Sequence, residues 1–376
     1  MQNKVIIVGA GLSGATIAHQ LAKKGYKVTI YDKRPTIAGN AYDFNDNNIL
    51  VHLYGPHIFH TSSKEVFDFI SQFDDFFKYE HRVLGHIDDK YVPIPFNLTS
   101  LERLFKKEDS DYIKNYLLTK YEMGKKVPVM ELKNSDDQII QQFGNFVYEK
   151  VFYHYTLKQW GKTPEELNPN VMNRVPVYIS YEDRYFLDTY QYMPLHGFTK
   201  VVEKMLDHPN IKVILNTDFL SIAKINDDKI YLNNQLFDGE VIYTGCIDEL
   251  FNYQLGKLPY RSLNFVFKTI NQPSFQDAAV VNYPNEYQFT RISEFSKFTS
   301  KPTNKTIIVE EYPKEHTLKD IPYYPIEIEE NINLYQKYLS LANKIPNLHL
   351  LGRLANYKYV NMDVAILNAL KLSDKF

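Results

Sequence analysis

Residues 4–14 read KVIIVGAGLSG, and how this stretch can be arranged decides the fold. The run from Asn3 to Gly9 (NKVIIVG) is continuous, apolar and β-branched, the pattern of a strand covered on both faces in a parallel sheet. Gly9, Gly11 and Gly14, with Ala10, Leu12 and Ser13 between them, then form a G-x-G-x-x-G. Residues 13–24 predict a helix, with Ala15, Ile17, Ala18 and Leu21 on its buried side and Gly25 as its stop. Lys27 to Tyr31 (KVTIY) predicts a second strand, ending at Asp32. A right-handed β-α-β crossover takes about 30 residues, and this stretch supplies them.

In such a unit the glycines permit a tight turn, close approach of the backbone to a pyrophosphate, and close packing of helix on strand. The helix N-terminus offers free N–H groups and a partial positive charge to phosphate. Asp32, 18 residues after Gly14, is placed to accept from ribose hydroxyls. The stretch therefore predicts an adenine dinucleotide site. Lys33-Arg34 and Ala38-Gly39-Asn40-Ala41 follow the acid, and a strand EVIYTG (240–245) and a turn Leu351-Gly352-Arg353 come late in the chain. This resembles the glutathione-reductase-type FAD fold, in which a second glycine loop and a last glycine turn approach the cofactor, so FAD is expected rather than NAD.

Outward from this unit, residues 64 to about 155 carry Leu, Phe, Tyr, Lys and Glu at helical spacing, with helices expected at 64–77, 98–106, 109–121 and 137–154. Residues 163–176 hold Pro164, Pro169 and Pro176 and read as a loop. IKVIL (211–215) and EVIYTG read as strands of the first domain. RSLNFVFKTI (261–270), EYQFTRI (286–292) and KTIIVEEY (305–312) alternate and predict an antiparallel sheet. The expected fold class is α/β with three parts. A discontinuous dinucleotide-binding domain takes 1–78, 196–250 and 336–376; a helical domain takes 79–170; an antiparallel-sheet substrate domain takes 171–195 and 251–335.

With 43 basic and 45 acidic residues the net charge is −2, so no global field draws in nucleic acid or an acidic membrane. The single cysteine, Cys246, excludes a disulfide framework. No apolar run approaches the roughly 20 residues of a membrane span, so a cytoplasmic protein is expected. Thirty tyrosines and one tryptophan, Trp160, suit a surface that meets sugars and bases. His57 and His60 lie three apart with no third ligand in view, and no metal is expected.

Tyr54-Gly55-Pro56-His57-Ile58-Phe59-His60-Thr61, Tyr155 to Gly161 (YTLKQWG), Thr290-Arg291-Ile292-Ser293-Glu294, Tyr323-Tyr324-Pro325 and Gly352 to Tyr359 (GRLANYKY) occur together in this order. With the glycine motif they resemble the UDP-galactopyranose mutase family along nearly the whole chain. The resemblance implies a non-redox use of FAD: reduced flavin, with NAD(P)H or dithionite as reductant, forms a covalent N5–sugar adduct while the nucleoside diphosphate leaves and returns. It implies a nucleoside-diphosphate sugar as partner, a homodimer, and galactofuranose for surface polysaccharide.

By the same resemblance Arg174, Arg291, His60 and Trp160 are catalytic, the two arginines on the diphosphate. Phe152, Tyr155, Thr156, Tyr185, Tyr324 and Tyr359 join Trp160 and the arginines on the substrate, with Tyr155 stacking on the base, Trp160 lining the sugar pocket, and Tyr185, Tyr324 and Tyr359 around the diphosphate. Gly9, Gly11, Leu12, Ser13, Gly14, Asp32, Lys33, Gly39, Asn40, His57, His60, Gly352, Arg353, Tyr359, Asn361 and Met362 hold the cofactor. Asn361 stands where the family usually has Asp, Ala38 where it often has Gly, and His81-Arg82-Val83 departs from an Asn-Ser-Pro type. The sugar and base therefore stay open between UDP-galactose and a dTDP-6-deoxyhexose, as in a dTDP-fucopyranose mutase, with an FAD oxidoreductase of the amine-oxidase type as the rival class.

Overall fold

The computed structural model describes residues 3–167 and 176–376. The first strand, β1, is Lys4–Val8; the helix after it, α1, is Leu12–Lys23; β2 is Lys27–Tyr31. Five parallel strands form the central sheet in the order Ile211–Ile214, β2, β1, Glu240–Tyr243, Leu348–Leu350. Strands from the start, middle and end of the chain are thus neighbours. Successive residues of β1 point to opposite faces. Val5 and Ile7 enter the core shared with α1, and Ile6 enters the core on the other side. This two-sided burial is why the strand is apolar without alternation.

On the first face α1 packs against Phe198–Leu206 and Met362–Ser373. Ile7, Ile17, Leu21 and Ile30 are fully buried there, each contributing about 1.5–3 kcal/mol of transfer free energy. A separate core of Phe96, Leu101, Ile113, Leu117, Ile140 and Phe143 holds the helical layer, Leu98–Leu104, Lys107–Lys120, Val129–Lys133 and Gln138–Val147.

The second large sheet has seven strands, in the order Tyr324–Pro325, Tyr260–Ile270, Thr306–Glu315, Arg291–Glu294, Val280–Asn282, Val83–Ile87, Lys90–Ile94. All neighbours are antiparallel except Val280–Asn282 with Val83–Ile87, which run parallel. Three local expectations change. The hairpin 83–94 lies inside the stretch expected to be helical and instead extends this sheet. The segment 286–292 is strand only from Arg291 onward. The stretch 64–77 is a helix only over Lys64–Ile70, and Phe76–Lys78 pairs with Tyr190–Pro194. Among the described residues, no helix is long and apolar enough to cross a membrane and no cluster of three His, Cys, Asp or Glu could hold a metal.

Candidate functional site

The glycine loop leaves the C-terminal end of β1 and enters α1. Gly9 has φ +106°, and a Cβ there would lie 2.1 Å from Thr244 Oγ1; a Cβ on Gly14 would lie 2.0 Å from the carbonyl oxygen of Gly9. Both are fixed by the chain itself. Gly11 differs: the nearest atom to a Cβ there is Gly39 Cα at an ordinary 3.7 Å. Nothing in the polypeptide requires a glycine at 11, so the open space suits a group approaching from outside, as a pyrophosphate would. The Asp32 carboxylate accepts from the backbone N–H of Ala10 at 2.8 Å and of Arg34 at 2.9 Å. It braces the loop, and each oxygen keeps a lone pair for a ribose hydroxyl.

Lys33 sits at the rim, its Nζ 3.2 Å from Glu249 and its side chain 59% exposed, a surface pair worth under about 1 kcal/mol. Its neighbour Arg34 donates from Nη2 to Asn40 Oδ1 at 2.9 Å and lies 4.7 Å over the Tyr54 ring. Arg34 Nη1 is buried without a partner among the described residues. An unpaired charged donor beside the cleft is accounted for by an anionic ligand. Nothing in the sequence separates Arg34 from Lys33; only the packing does. Leu12, Ser13, Gly39, Asn40, His57, Gly352, Asn361 and Met362 line the same cleft. Arg353 ties the last turn together, donating to the carbonyl oxygens of Tyr323 at 3.0 Å and Val360 at 2.8 Å. These residues fit an adenine dinucleotide.

The cleft continues into an inner chamber, because Asn40, His57, Arg353, Asn361 and Met362 line both. His57 Nδ1–H donates to the Gly55 carbonyl at 2.8 Å, which leaves Nε2 as an acceptor. Burial pushes His57 and His81 down to about 3, so both are neutral. His60 lies in this chamber, not in the dinucleotide cleft; its Nδ1 meets Asp188 at 2.9 Å and its ring stacks on Phe186 at 3.6 Å.

The inner chamber opens into an outer one through Tyr155, Tyr185, Asn282, Arg291, Tyr324 and Tyr359, which line both. Sheet register builds this junction. Asn282, Arg291 and Glu311 are direct partners on three adjacent strands. Arg291 Nε donates to Glu311 Oε1 at 2.7 Å, and Glu311 is 2% exposed, so the buried acid sets the guanidinium plane and leaves its other donors available. Burial pushes the phenol of Tyr324 up to about 12 and raises Tyr155 and Tyr185 as well, which keeps all three as O–H donors. An arginine fork with neutral phenols suits phosphate oxygens.

Phe152, Tyr155, Thr156 and Trp160 line the outer chamber together. Tyr155 and Trp160 are five apart, but Phe152, Thr156 and Gln159 bridge them at helical spacing into one broad face. A π-helical turn, Tyr148–Tyr153, precedes the helix His154–Trp160. Gly161 ends that helix at φ +65°, and Arg261 caps it, donating to the carbonyl oxygens of Gln159 at 3.0 Å and Lys158 at 3.2 Å. Arg174 falls in 168–175, outside the described residues. Arg34, Asn282, Glu311 and Glu327 have no signal in the sequence strong enough to mark them beforehand; sheet register and loop packing bring them to the cleft.

The family model for UDP-galactopyranose mutase matches residues 150–359, and the one for an NAD(P)-binding Rossmann-like domain matches 7–73. A probable UDP-galactopyranose mutase of Klebsiella pneumoniae is 37% identical, the alignment covering 100% of this chain and 95% of that protein. The chain belongs to the UDP-galactopyranose mutase family. The UDP-galactopyranose mutase of Mycoplasma pneumoniae is 36% identical over 98% of this chain and 95% of its own length. A dTDP-fucopyranose mutase of Escherichia coli is 32% identical over 100% and 98%. Among solved structures, a reduced UDP-galactopyranose mutase superposes with a TM-score of 0.73 at 18% identity, covering 99% of this chain and 95% of that one. The fold is therefore that of this structure, with a central parallel sheet built from strands of the start, middle and end of the chain.

Proposed function

We propose that this member of the family interconverts UDP-galactopyranose and UDP-galactofuranose with FAD held in the dinucleotide cleft. The observation that carries the reading is the continuity of one cleft. It runs from the glycine loop, past His57 and His60, across Arg291 and its tyrosines, to the aromatic chamber of Phe152, Tyr155 and Trp160. Its parts follow the order of a dinucleotide, a sugar, a diphosphate and a base.

Bound FAD, once reduced by NAD(P)H or another external reductant, supplies a nucleophile to the anomeric carbon and consumes no reductant per turnover. The chain's own groups do the rest. Arg291, braced by Glu311, with the hydroxyls of Tyr185, Tyr324 and Tyr359, steadies the diphosphate as it departs and keeps it for its return. Arg174 is the second cation in this reading. His57, neutral and held through Nδ1–H, offers only an acceptor to the inner chamber. Tyr155 stacks on the base with Thr156 beside it. Trp160, expected at the sugar, lines the outer chamber and not the inner one, so in this reading it encloses the nucleoside instead. A homodimer working in the cytoplasm and feeding galactofuranose to surface polysaccharide accompanies this reading.

The test incubates dithionite-reduced protein separately with UDP-galactofuranose and dTDP-fucofuranose. Conversion of the UDP sugar to its pyranose without stoichiometric reductant is the expected result. Conversion of the dTDP sugar alone would reassign the substrate. One reductant oxidised per sugar converted would replace the mutase reading with an oxidoreductase.

A further inference from the structure

The outer chamber holds an acid that the proposed chemistry does not use. Glu327 lines it beside Trp160, Tyr324, Pro325 and Tyr359. Two anchored neighbours set its direction. Ile326 is buried, its N–H bonded to the Tyr357 hydroxyl at 3.3 Å, and the N–H of Ile328 bonds back to the Ile326 carbonyl at 2.9 Å. Between them Glu327 turns to the cleft. Its Oε1 accepts from the backbone N–H of Tyr359 at 2.8 Å. That single bond fixes the carboxylate against the loop that carries Tyr359 and Arg353. Among the described residues this is the one hydrogen bond of the Glu327 side chain, and it comes from a backbone N–H and not from a cation.

A fixed carboxylate in a cleft meant for a diphosphate repels that ligand unless it faces a neutral, donor-rich part of it. A nucleoside-diphosphate sugar has two such parts, the hexose hydroxyls and the vicinal hydroxyls of the ribose. Glu327 lines the outer chamber and not the inner one, where the hexose lies in the reading above. The ribose lies between the phosphates and the base. Glu327 lies at the corresponding place. Tyr324 and Tyr359, on the diphosphate side, adjoin it, and Trp160, whose ring centroid is 5.8 Å from that of Tyr324, leads on to the base side at Thr156 and Phe152. A carboxylate is a two-oxygen acceptor matched to ribose hydroxyls, the logic by which an acid at the end of β2 serves an adenosine ribose.

We propose that Glu327 reads the substrate ribose and makes the site select ribonucleoside over 2′-deoxyribonucleoside diphosphates. This rests on the sugar-nucleotide reading above and narrows it, since dTDP sugars lack the 2′-hydroxyl. Loss of that hydroxyl leaves the acceptor short of a donor, a difference of roughly tenfold in affinity.

The experiment titrates the oxidised, FAD-loaded protein with UDP and with 2′-deoxy-UDP, which differ only at that hydroxyl, for wild type, Glu327→Ala and Glu327→Gln. Wild type is expected to prefer UDP about tenfold. Glu327→Ala is expected to bring the ratio near one, and Glu327→Gln, whose amide still accepts, to keep part of it. Any loosening of Tyr359 weakens both ligands alike and cancels in the ratio. Equal affinities in wild type, or an unchanged ratio in Glu327→Ala, would remove the role from Glu327 while leaving the mutase reading in place. Failure of wild type to bind either ligand would overturn both.

Discussion

Gly11 and Gly14 are both glycine, for reasons that one methyl group separates. At Gly14 the methyl would meet a carbonyl oxygen at 2.0 Å, so Gly14→Ala must push α1 off β1. Overpacking of this kind costs about 1–3 kcal/mol, and the variant is expected to lose thermal stability with or without flavin. At Gly11 the methyl meets only ordinary contacts. Gly11→Ala is expected to leave the flavin-free protein melting within about 1 °C of wild type while its FAD content collapses, because the methyl stands in the pyrophosphate's place. Melting curves with and without added FAD separate the two, and equal FAD retention in both would refute the cradle. At this same scale Lys33 and Arg34 look alike in sequence, and only burial shows which of them has a donor to spend on a ligand.

At the scale of elements, the helix His154–Trp160 presents the nucleoside face, and its end is held by one side chain. Arg261 is 6% exposed and donates to two of the last carbonyls. Arg261→Ala strands those carbonyls out of water and is expected to lower stability by about 2–3 kcal/mol. Because Tyr155 and Trp160 ride on this helix, UDP affinity should fall as well while FAD content stays at wild-type level. A urea titration and a UDP titration on the FAD-loaded variant check both; undiminished UDP binding would show that the cap does not position the face. Helical spacing was legible only up to residue 154, where the expected helix 137–154 ends and His154–Trp160 begins. The partnership with Arg261, more than 100 residues later, was not, since an isolated arginine on a strand carries no sign of what it will cap. Likewise the hairpin 83–94 reads as part of a helix-rich stretch, yet pairing with Val280–Asn282 makes it strand, because an available sheet edge outweighs weak local preference.

For the molecule as a whole, burial leaves a pH signature. His52, His57 and His81 are each pushed down to about 3 by desolvation. An imidazole with its folded pKa below its unfolded value binds a proton more weakly in the fold. Its contribution is therefore complete above pH 6.5, and is lost as pH falls from there towards 3, where the unfolded chain alone takes up the proton. Each histidine then removes about 1.4 kcal/mol per pH unit, so three together remove about 4 kcal/mol per unit. Thermal stability is expected to drop steeply between about pH 6 and 5, and His52→Asn, whose amide oxygen can still accept the His57 N–H, to reduce that slope by about one proton. A melting temperature flat over this range would contradict the neutral assignment.

The sequence alone determined the β-α-β unit, the glycine loop and the acid that follows it. All of these lie within one short span, where turn sterics, strand burial and helix periodicity act locally and leave their mark on residue type. It also marked Tyr155, Trp160, Arg291 and Tyr324 as members of a recurring set. Tertiary structure alone decided how they meet. The row of Asn282, Arg291 and Glu311 exists because three strands pair in one register, and a slip of one residue would turn Arg291 to the other face. The join of the inner and outer chambers, the spare donor of Arg34 and the turn of Glu327 into the cleft depend on contacts between segments far apart in the chain. No residue type announces them, because pairing distant segments is settled by the packing of the whole.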